Sequence, residues 1–197
     1  MPFFTTKIIG IAGTNGSGKD TVGQMLAEKH GWLFVSVSDI LRDDLRKRGL
    51  PVDRESLRNL SAHWRHKNGL GVLIDKAVTK FKKHKNQHSG LVISSLRNPG
   101  EVDRVHELGG QVLWVDADPK IRYKRISSDA HARGRHSEDS ITFKQFLAEE
   151  KSEMDHGGRE TSLHMSGVKA KADFLLQNNG NDIEAFKDAA EKALDLK

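Results

Sequence analysis

Apolar residues recur along this chain in two periods, and the switches between them mark its elements. Five short runs rich in β-branched and aromatic residues read as strands: Ile8 to Ala12, Leu33 to Val37, Leu91 to Ser94, Val112 to Asp116 and Phe174 to Gln177. Between them, apolar positions fall three and four residues apart, as a buried helix face requires. Val22, Met25 and Leu26 show that spacing after the first run. Glu101 to Leu108 is a second helical segment, stopped by Gly109-Gly110, and Ile183 to Leu196 predicts an amphipathic C-terminal helix. Strands alternating with helices predict a parallel sheet covered on both faces. No internal repeat, low-complexity tract or domain-sized linker breaks the 197 residues, so one α/β domain is expected.

Two segments depart from the alternation. Residues 51–81, between the second and third strands, read as wholly helical. Residues 120–167, between the fourth and fifth, carry helices around a polar centre at Ser127 to Ser140. Long insertions at the carboxyl edge of a parallel sheet are where ligands bind and lids are mounted.

The turn after the first strand carries the plainest chemistry. Gly13-Thr14-Asn15-Gly16-Ser17-Gly18-Lys19-Asp20-Thr21 lies between a buried strand and a helix, the context that a phosphate-binding P-loop needs. Its glycines let successive backbone N–H groups point inward, the helix N-terminus adds partial positive charge, and Lys19 adds a full one. A bound nucleoside triphosphate is expected. Asp20 stands where the strict motif has a hydroxyl residue for Mg²⁺, and the hydroxyl falls one position later, at Thr21.

Composition narrows the partners. Charged residues make up 30% and hydrophobic ones 36%, with a net charge of +5. No apolar run approaches the ~18 residues of a membrane span, and the N-terminus lacks the layout of a signal peptide, so a cytoplasmic protein without a membrane partner is expected. With no cysteine, disulfides, thiolate catalysis and cysteine metal sites are excluded. Histidines such as His131 and His136 have no ligand partner at zinc spacing. The basic residues are scattered, and the densest run, Lys82-Lys83-His84-Lys85, reads as a solvated connection. A polyphosphate substrate accounts for the excess charge better than nucleic acid does.

Several arginines stand near that loop in the expected topology. Asp39 follows the second strand as a candidate helix cap, and Arg42, a turn further on, could aim a bidentate fork at a phosphate. Arg97 leaves the third strand at its carboxyl end. Arg122 and Arg125 share one helix face, and Arg133 and Arg135 flank a glycine in the polar centre. An arginine-bearing segment of that kind suits phosphoryl transfer, which builds charge on the transferred group and must exclude water. In His63-Trp64-Arg65-His66 the tryptophan could stack on a base or sit in the core, while Trp32 and Trp114 read as core.

Taken in order, the loop at Gly13 to Thr21, Ser38-Asp39-Ile40-Leu41-Arg42, Leu96-Arg97-Asn98-Pro99 with Glu101, Val115-Asp116-Ala117-Asp118 with Arg122 and Arg125, and Asn179-Gly180 resemble the P-loop nucleoside monophosphate kinases. The adenylate-kinase-related branch is the nearest match, and dephospho-CoA kinases share much of the framework. The resemblance implies a three-layer fold with a five-stranded parallel sheet in order 2-3-1-4-5, core segments at about 7–50, 90–120 and 168–197, an acceptor-binding insertion at about 51–82, and a lid at about 120–167. It implies transfer of the γ-phosphoryl of ATP, with Mg²⁺, to a small nucleotide acceptor. Gly13, Asn15, Gly16, Ser17, Gly18, Lys19, Asp20 and Thr21 would then hold the donor phosphates, with Asp20 and Thr21 nearest the metal. Arg42 and Arg97 would grip the acceptor phosphate, with Asp39 and Arg65 beside it. Arg122, Arg125, Arg133 and Arg135 would be lid arginines, and Asn179-Gly180 would flank the adenine. Lys19, Arg97, Arg125 and Arg135 are the expected catalytic set, and Asp39 is the candidate base if the acceptor is a hydroxyl as in dephospho-CoA. A regulatory ATPase module is the alternative of a different class. The chain departs from the family where many members carry an aspartate after the third strand, for it has Ser94 and Ser95 there.

Overall fold

A computed structural model describes residues 7–129, 141–154 and 158–196. Five parallel strands, β1 (Lys7–Gly13), β2 (Leu33–Ser36), β3 (Gly90–Leu96), β4 (Gln111–Asp116) and β5 (Phe174–Gln177), form one sheet in the order β2-β3-β1-β4-β5. The order expected from sequence is the order observed. Helices α1 (Lys19–His30), α2 (Val37–Lys47), α3 (Arg54–Asn68), α4 (Val72–Lys83), α5 (Pro99–Glu107), α6 (Pro119–Asp129), α7 (Phe143–Met154), α8 (Met165–Lys171) and α9 (Ile183–Ala193) join and cover the strands.

The apolar runs form strands because both of their faces are buried. Along β1, Ile8 and Ala12 face one core while Ile9 and Ile11 face the other. β4 repeats the division, with Val112 and Trp114 on the first face and Leu113 and Val115 on the second. The first core takes side chains from α2, α3, α4, α5 and α8, and the second is closed by α1 and α9. Trp32, Trp64 and Trp114 are all buried in these cores. Trp64 therefore packs beneath the surface with the Lys76 ammonium 4.1 Å above its ring, and it is not a base-stacking platform.

Two local boundaries differ from the sequence reading. The chain passes from β2 directly into α2 at Val37, so the helix begins before Asp39 and Ser36 occupies the N-cap position. Asp39 lies in the first turn, where a negative charge suits the helix dipole, and its carboxylate accepts a hydrogen bond from Arg42 at 2.9 Å. The segment expected to be wholly helical splits into α3 and α4 at Gly69, whose φ of 91° ends α3. A third irregularity lies in β3. Ser94 pairs with Ile11 but Ala12 pairs with Leu96, so Ser95 bulges out of the ladder, and its φ of 70° puts a non-glycine residue in the left-handed region.

Candidate functional site

The loop between β1 and α1 curls because two glycines leave no space for side chains. At Gly13, φ is 143°, and a Cβ would lie 2.0 Å from the Val115 carbonyl oxygen. At Gly18, φ is 99°, and a Cβ would lie 2.6 Å from the Asn178 amide nitrogen. Neighbouring strand ends brace the turn. Thr14 Oγ1 donates to Asp116 Oδ1 at 2.8 Å, and Asn178 Nδ2 donates to the Ser17 carbonyl at 2.8 Å. Lys19 is buried at the first position of α1, and its Nζ reaches back to the Thr14 carbonyl at 3.5 Å. The loop is thus closed around its lysine, a shape that matches a phosphate oxygen cluster.

Two clefts open from this loop and both are lined by Lys19. One is walled by Gly16, Gly18, Asp20, Thr21, Arg125 and the turn at residues 178–183. Arg125 is fixed there by the carbonyls of Asn178 and Gly180, at 3.0 and 2.8 Å. Asn179 does not face that cleft; its side-chain oxygen accepts from the Asp118 N–H at 2.7 Å and joins the ends of β4 and β5. The other cleft runs from Asn15 and Lys19 to Arg42, Arg58, Arg65 and Arg97, over apolar walls of Val37, Leu41, Leu57 and Leu163. Ser95, on the β3 bulge, lines it too. Asp39 stands at its margin, half exposed and paired with Arg42.

Arg97 is aimed by a rigid turn. Asn98 caps α5 by accepting from the Gly100 N–H at 2.9 Å, and Glu101 Oε2 accepts from the N–H groups of Arg97 and Asn98 at 2.7 and 3.2 Å. The other oxygen of Glu101 receives Nε and Nη2 of Arg65 at 3.1 and 2.8 Å. Arg65 Nη1 donates to Ser61 Oγ and the Thr161 carbonyl at 3.3 and 3.0 Å. Arg65 was expected to touch the acceptor. It lines the cleft, and its guanidinium is bonded into the buried turn that carries Arg97.

Arg122 takes a similar turn away from expectation. It is almost wholly buried, donates from Nε to the Ala117 carbonyl at 2.7 Å, and forks onto Glu150 of α7, with Nη2 to Oε1 at 2.9 Å. Its guanidinium also lies over Phe146, 5.4 Å from the ring centre. Arg122 therefore fastens α7 to α6, and it meets the loop through a bond to the Asn15 carbonyl at 3.4 Å and through its backbone beside Gly16. Arg133 and Arg135, together with His131 and His136, lie outside the described residues.

Helix α7 supplies what sequence reasoning missed. Its Glu153 pairs with Arg97 and, at 3.3 Å, with Arg58, while Glu149 pairs with Arg54 at 2.7 Å. Burial alone would raise the Glu153 pKa, but the guanidiniums of Arg97, Arg58 and Arg54 outweigh it and hold the carboxyl below its ordinary range. Lone glutamates on a helix carry no motif. The one signal available was that Glu149, Glu150 and Glu153 fall on a single helical face. Asn178, which braces the loop, was equally unmarked.

Comparisons with known proteins agree with this architecture. The model of a family described as AAA domain matches residues 9–145. The UPF0200 protein of Pyrococcus abyssi is 32% identical over 184 residues, covering 91% of each chain. That of Pyrobaculum aerophilum is 29% identical and covers 95% of this chain and 96% of its own. Among solved structures, a shikimate kinase from Bacteroides thetaiotaomicron superposes with a TM-score of 0.56 at 11% identity, over 97% of this chain and 99% of that one. A shikimate kinase from Acinetobacter baumannii in complex with shikimate gives 0.51 at 18% identity, over 98% and 93%. The fold is thus that of small P-loop kinases, and the chain belongs to the AAA domain family and to the UPF0200 proteins.

Proposed function

We propose that the protein is an ATP-dependent small-molecule kinase that moves the γ-phosphoryl group of ATP to a nucleoside or deoxynucleoside monophosphate. The observation that carries this reading is Lys19, one cation shared by two clefts. Phosphoryl transfer asks little covalent chemistry of a protein. It asks that donor and acceptor be held in line and that developing charge be neutralised. On the donor side, Gly13, Asn15, Gly16, Ser17, Gly18, Asp20 and Thr21 hold the phosphates, Arg125 stands beside them, and Gly180 flanks the base while Asn179 braces that turn through Asp118. On the acceptor side, Arg42 and Arg97 take the acceptor phosphate, with residues 51–82 as the insertion that shapes the cleft and residues 120–167 as the lid.

ATP chemistry implies Mg²⁺. Among the described residues there is no cluster of three His, Cys, Asp or Glu side chains that could hold a metal. Mg²⁺ needs none, since it keeps several waters and takes oxygens from the phosphates. Ser94 Oγ donates to Asp20 Oδ1 at 2.9 Å, so a loop carboxylate and a strand hydroxyl stand together. This exchanges the usual P-loop arrangement, in which the hydroxyl is on the loop and the carboxylate comes from a strand. The oxygen set of Asp20, Thr21 and Ser94 fits the ion, which when bound neutralises charge on the β- and γ-phosphates.

A hydroxyl acceptor, as in dephospho-CoA or the shikimate held by one structural neighbour, calls for a carboxylate base. Asp39 is the expected candidate, but its carboxylate is paired with Arg42 and its side chain is 54% exposed. That arrangement favours an acceptor whose attacking group is already a phosphate oxygen. The test is an ATP-consumption screen across nucleoside monophosphates, deoxynucleotides and dephospho-CoA. Turnover should require a monophosphate, and Arg97→Ala should lose acceptor affinity while still binding ATP. Turnover with dephospho-CoA alone, or with no acceptor at all, would overturn the reading in favour of the hydroxyl kinase or the regulatory ATPase.

A further inference from the structure

The acceptor cleft already contains an anion. Glu153 Oε2 takes Arg97, and Glu153 Oε1 takes Arg58 at 3.3 Å, so the carboxylate spans two guanidiniums that line the cleft. Arg54 lies in the same wall and pairs with Glu149 one turn earlier on α7. Glu153 is itself a cleft-lining residue with a side-chain exposure of 13%, and it reaches the arginines from the opposite wall. A buried ion pair of this kind is a weak source of net stability, because desolvation offsets most of the attraction. Its cost of exchange for another anion is correspondingly low.

We infer that Glu153 stands in for the phosphate of the acceptor: its carboxylate fills the subsite built by Arg58 and Arg97, and a phosphomonoester must displace it to bind. This deepens the kinase reading and rests on it. The charge balance selects a phosphate over a carboxylate. Arg58 and Arg97 present two positive charges to the single charge of Glu153, while Arg54 is paired with Glu149. A dianion with three acceptor oxygens matches that set better than a second monoanion does. Displacement does not release α7 altogether, because Glu150, one turn before Glu153, stays forked onto Arg122. The helix loses one tie and keeps another, so acceptor binding and the position of α7 become one equilibrium. In the absence of acceptor, α7 lies down on the arginines; with acceptor bound, the arginines are taken and Glu153 is free to move. Such competition lowers the apparent acceptor affinity by the fraction of molecules in which Glu153 is seated.

The experiment uses the full chain saturated with Mg²⁺ and a non-hydrolysable ATP analogue, so that the P-loop is occupied. Inorganic phosphate is then titrated by calorimetry, and melting is followed in parallel. Glu153→Gln, which keeps size and removes charge, should bind phosphate about tenfold or more tighter than the unaltered protein. It should melt lower without phosphate and recover when phosphate is added, a rescue that a purely structural ion pair would not show. Acetate should give no comparable gain, and Arg97→Ala should abolish the effect. If Glu153→Gln binds phosphate no tighter, or its melting loss is not recovered, the inference is overturned; an equal gain with acetate overturns the phosphate class. Should that variant fail to fold, amide exchange of residues 143–154 in the unaltered protein decides, since phosphate should speed it and unchanged or slower exchange refutes the displacement. Failure of the ATP analogue to bind at all would sink the kinase reading instead, a distinct outcome.

Discussion

Single positions around the loop carry more constraint than their residue types suggest. Ser95 holds a φ of 70° beside the acceptor cleft, and a non-glycine residue in that region stores about 1 kcal/mol or more. Ser95→Gly should therefore raise stability by up to about 1 kcal/mol in urea unfolding, the gain being limited by the larger chain entropy of glycine. A loss of stability would mean that the serine hydroxyl makes up for the strain. Residue-scale legibility was uneven. Lys19 and the loop glycines were legible because their spacing is itself the mechanism, and Arg42 and Arg97 because they follow strand ends. Glu153 was not, since a lone glutamate gains its meaning only from an arginine 56 residues away.

At the level of elements, the turn between β3 and α5 is the most tightly specified part of the site. Arg65 and Glu101 have side-chain exposures of 1% and 0%. Removing one charge leaves the other buried and uncompensated, so Glu101→Gln should cost about 3–5 kcal/mol in chemical unfolding. The loss should be accompanied by weaker acceptor binding, because Arg97 loses its support. Helix α7 should respond to acid. The Glu153 pKa is lowered from 4.5 in the folded state, so its contribution is complete above that ordinary value and disappears as pH falls through the lower folded value. The stability difference between the unaltered protein and Glu153→Gln should accordingly be steady at neutral pH and shrink on acidification below 4.5, as followed by urea melts at several pH values. The strands were legible from their apolar runs, and α9 from its amphipathic period. The split between α3 and α4 was not foreseen, because one glycine inside a helical pattern is ordinarily tolerated. The start of α2 was misplaced because Asp39 resembles a cap, whereas its partner is a side chain one turn ahead.

For the whole molecule, topology does the assembling. All five strands are parallel, so every strand leaves the sheet at one edge, and residues as distant in sequence as Thr14, Asp116 and Asn178 meet there. Alternating strands and helices made the parallel sheet legible, and the family resemblance implied its order. Which arginines face a ligand and which hold the scaffold was not, because that depends on side-chain partners contributed by other elements. Ligand linkage should be visible globally: ATP with Mg²⁺ at about 100 times its Kd should stabilise the native state by about 2.7 kcal/mol in thermal unfolding. Gly13→Ala should abolish that shift, since a Cβ there would lie 2.0 Å from the Val115 carbonyl oxygen.

The buried tie between Arg65 of α3 and Glu101 of α5 has a mechanical consequence. It pins the wall of the cleft formed by α3 to α5, whereas the wall formed by α7 meets α3 through the ion pairs of Glu149 and Glu153. If the acceptor displaces Glu153 as inferred above, the cleft works as a vice with one fixed jaw and one moving jaw. The fixed jaw gauges the size of what enters, so an acceptor analogue enlarged on the side facing α3 is rejected on shape, while enlargement toward α7 is absorbed by travel.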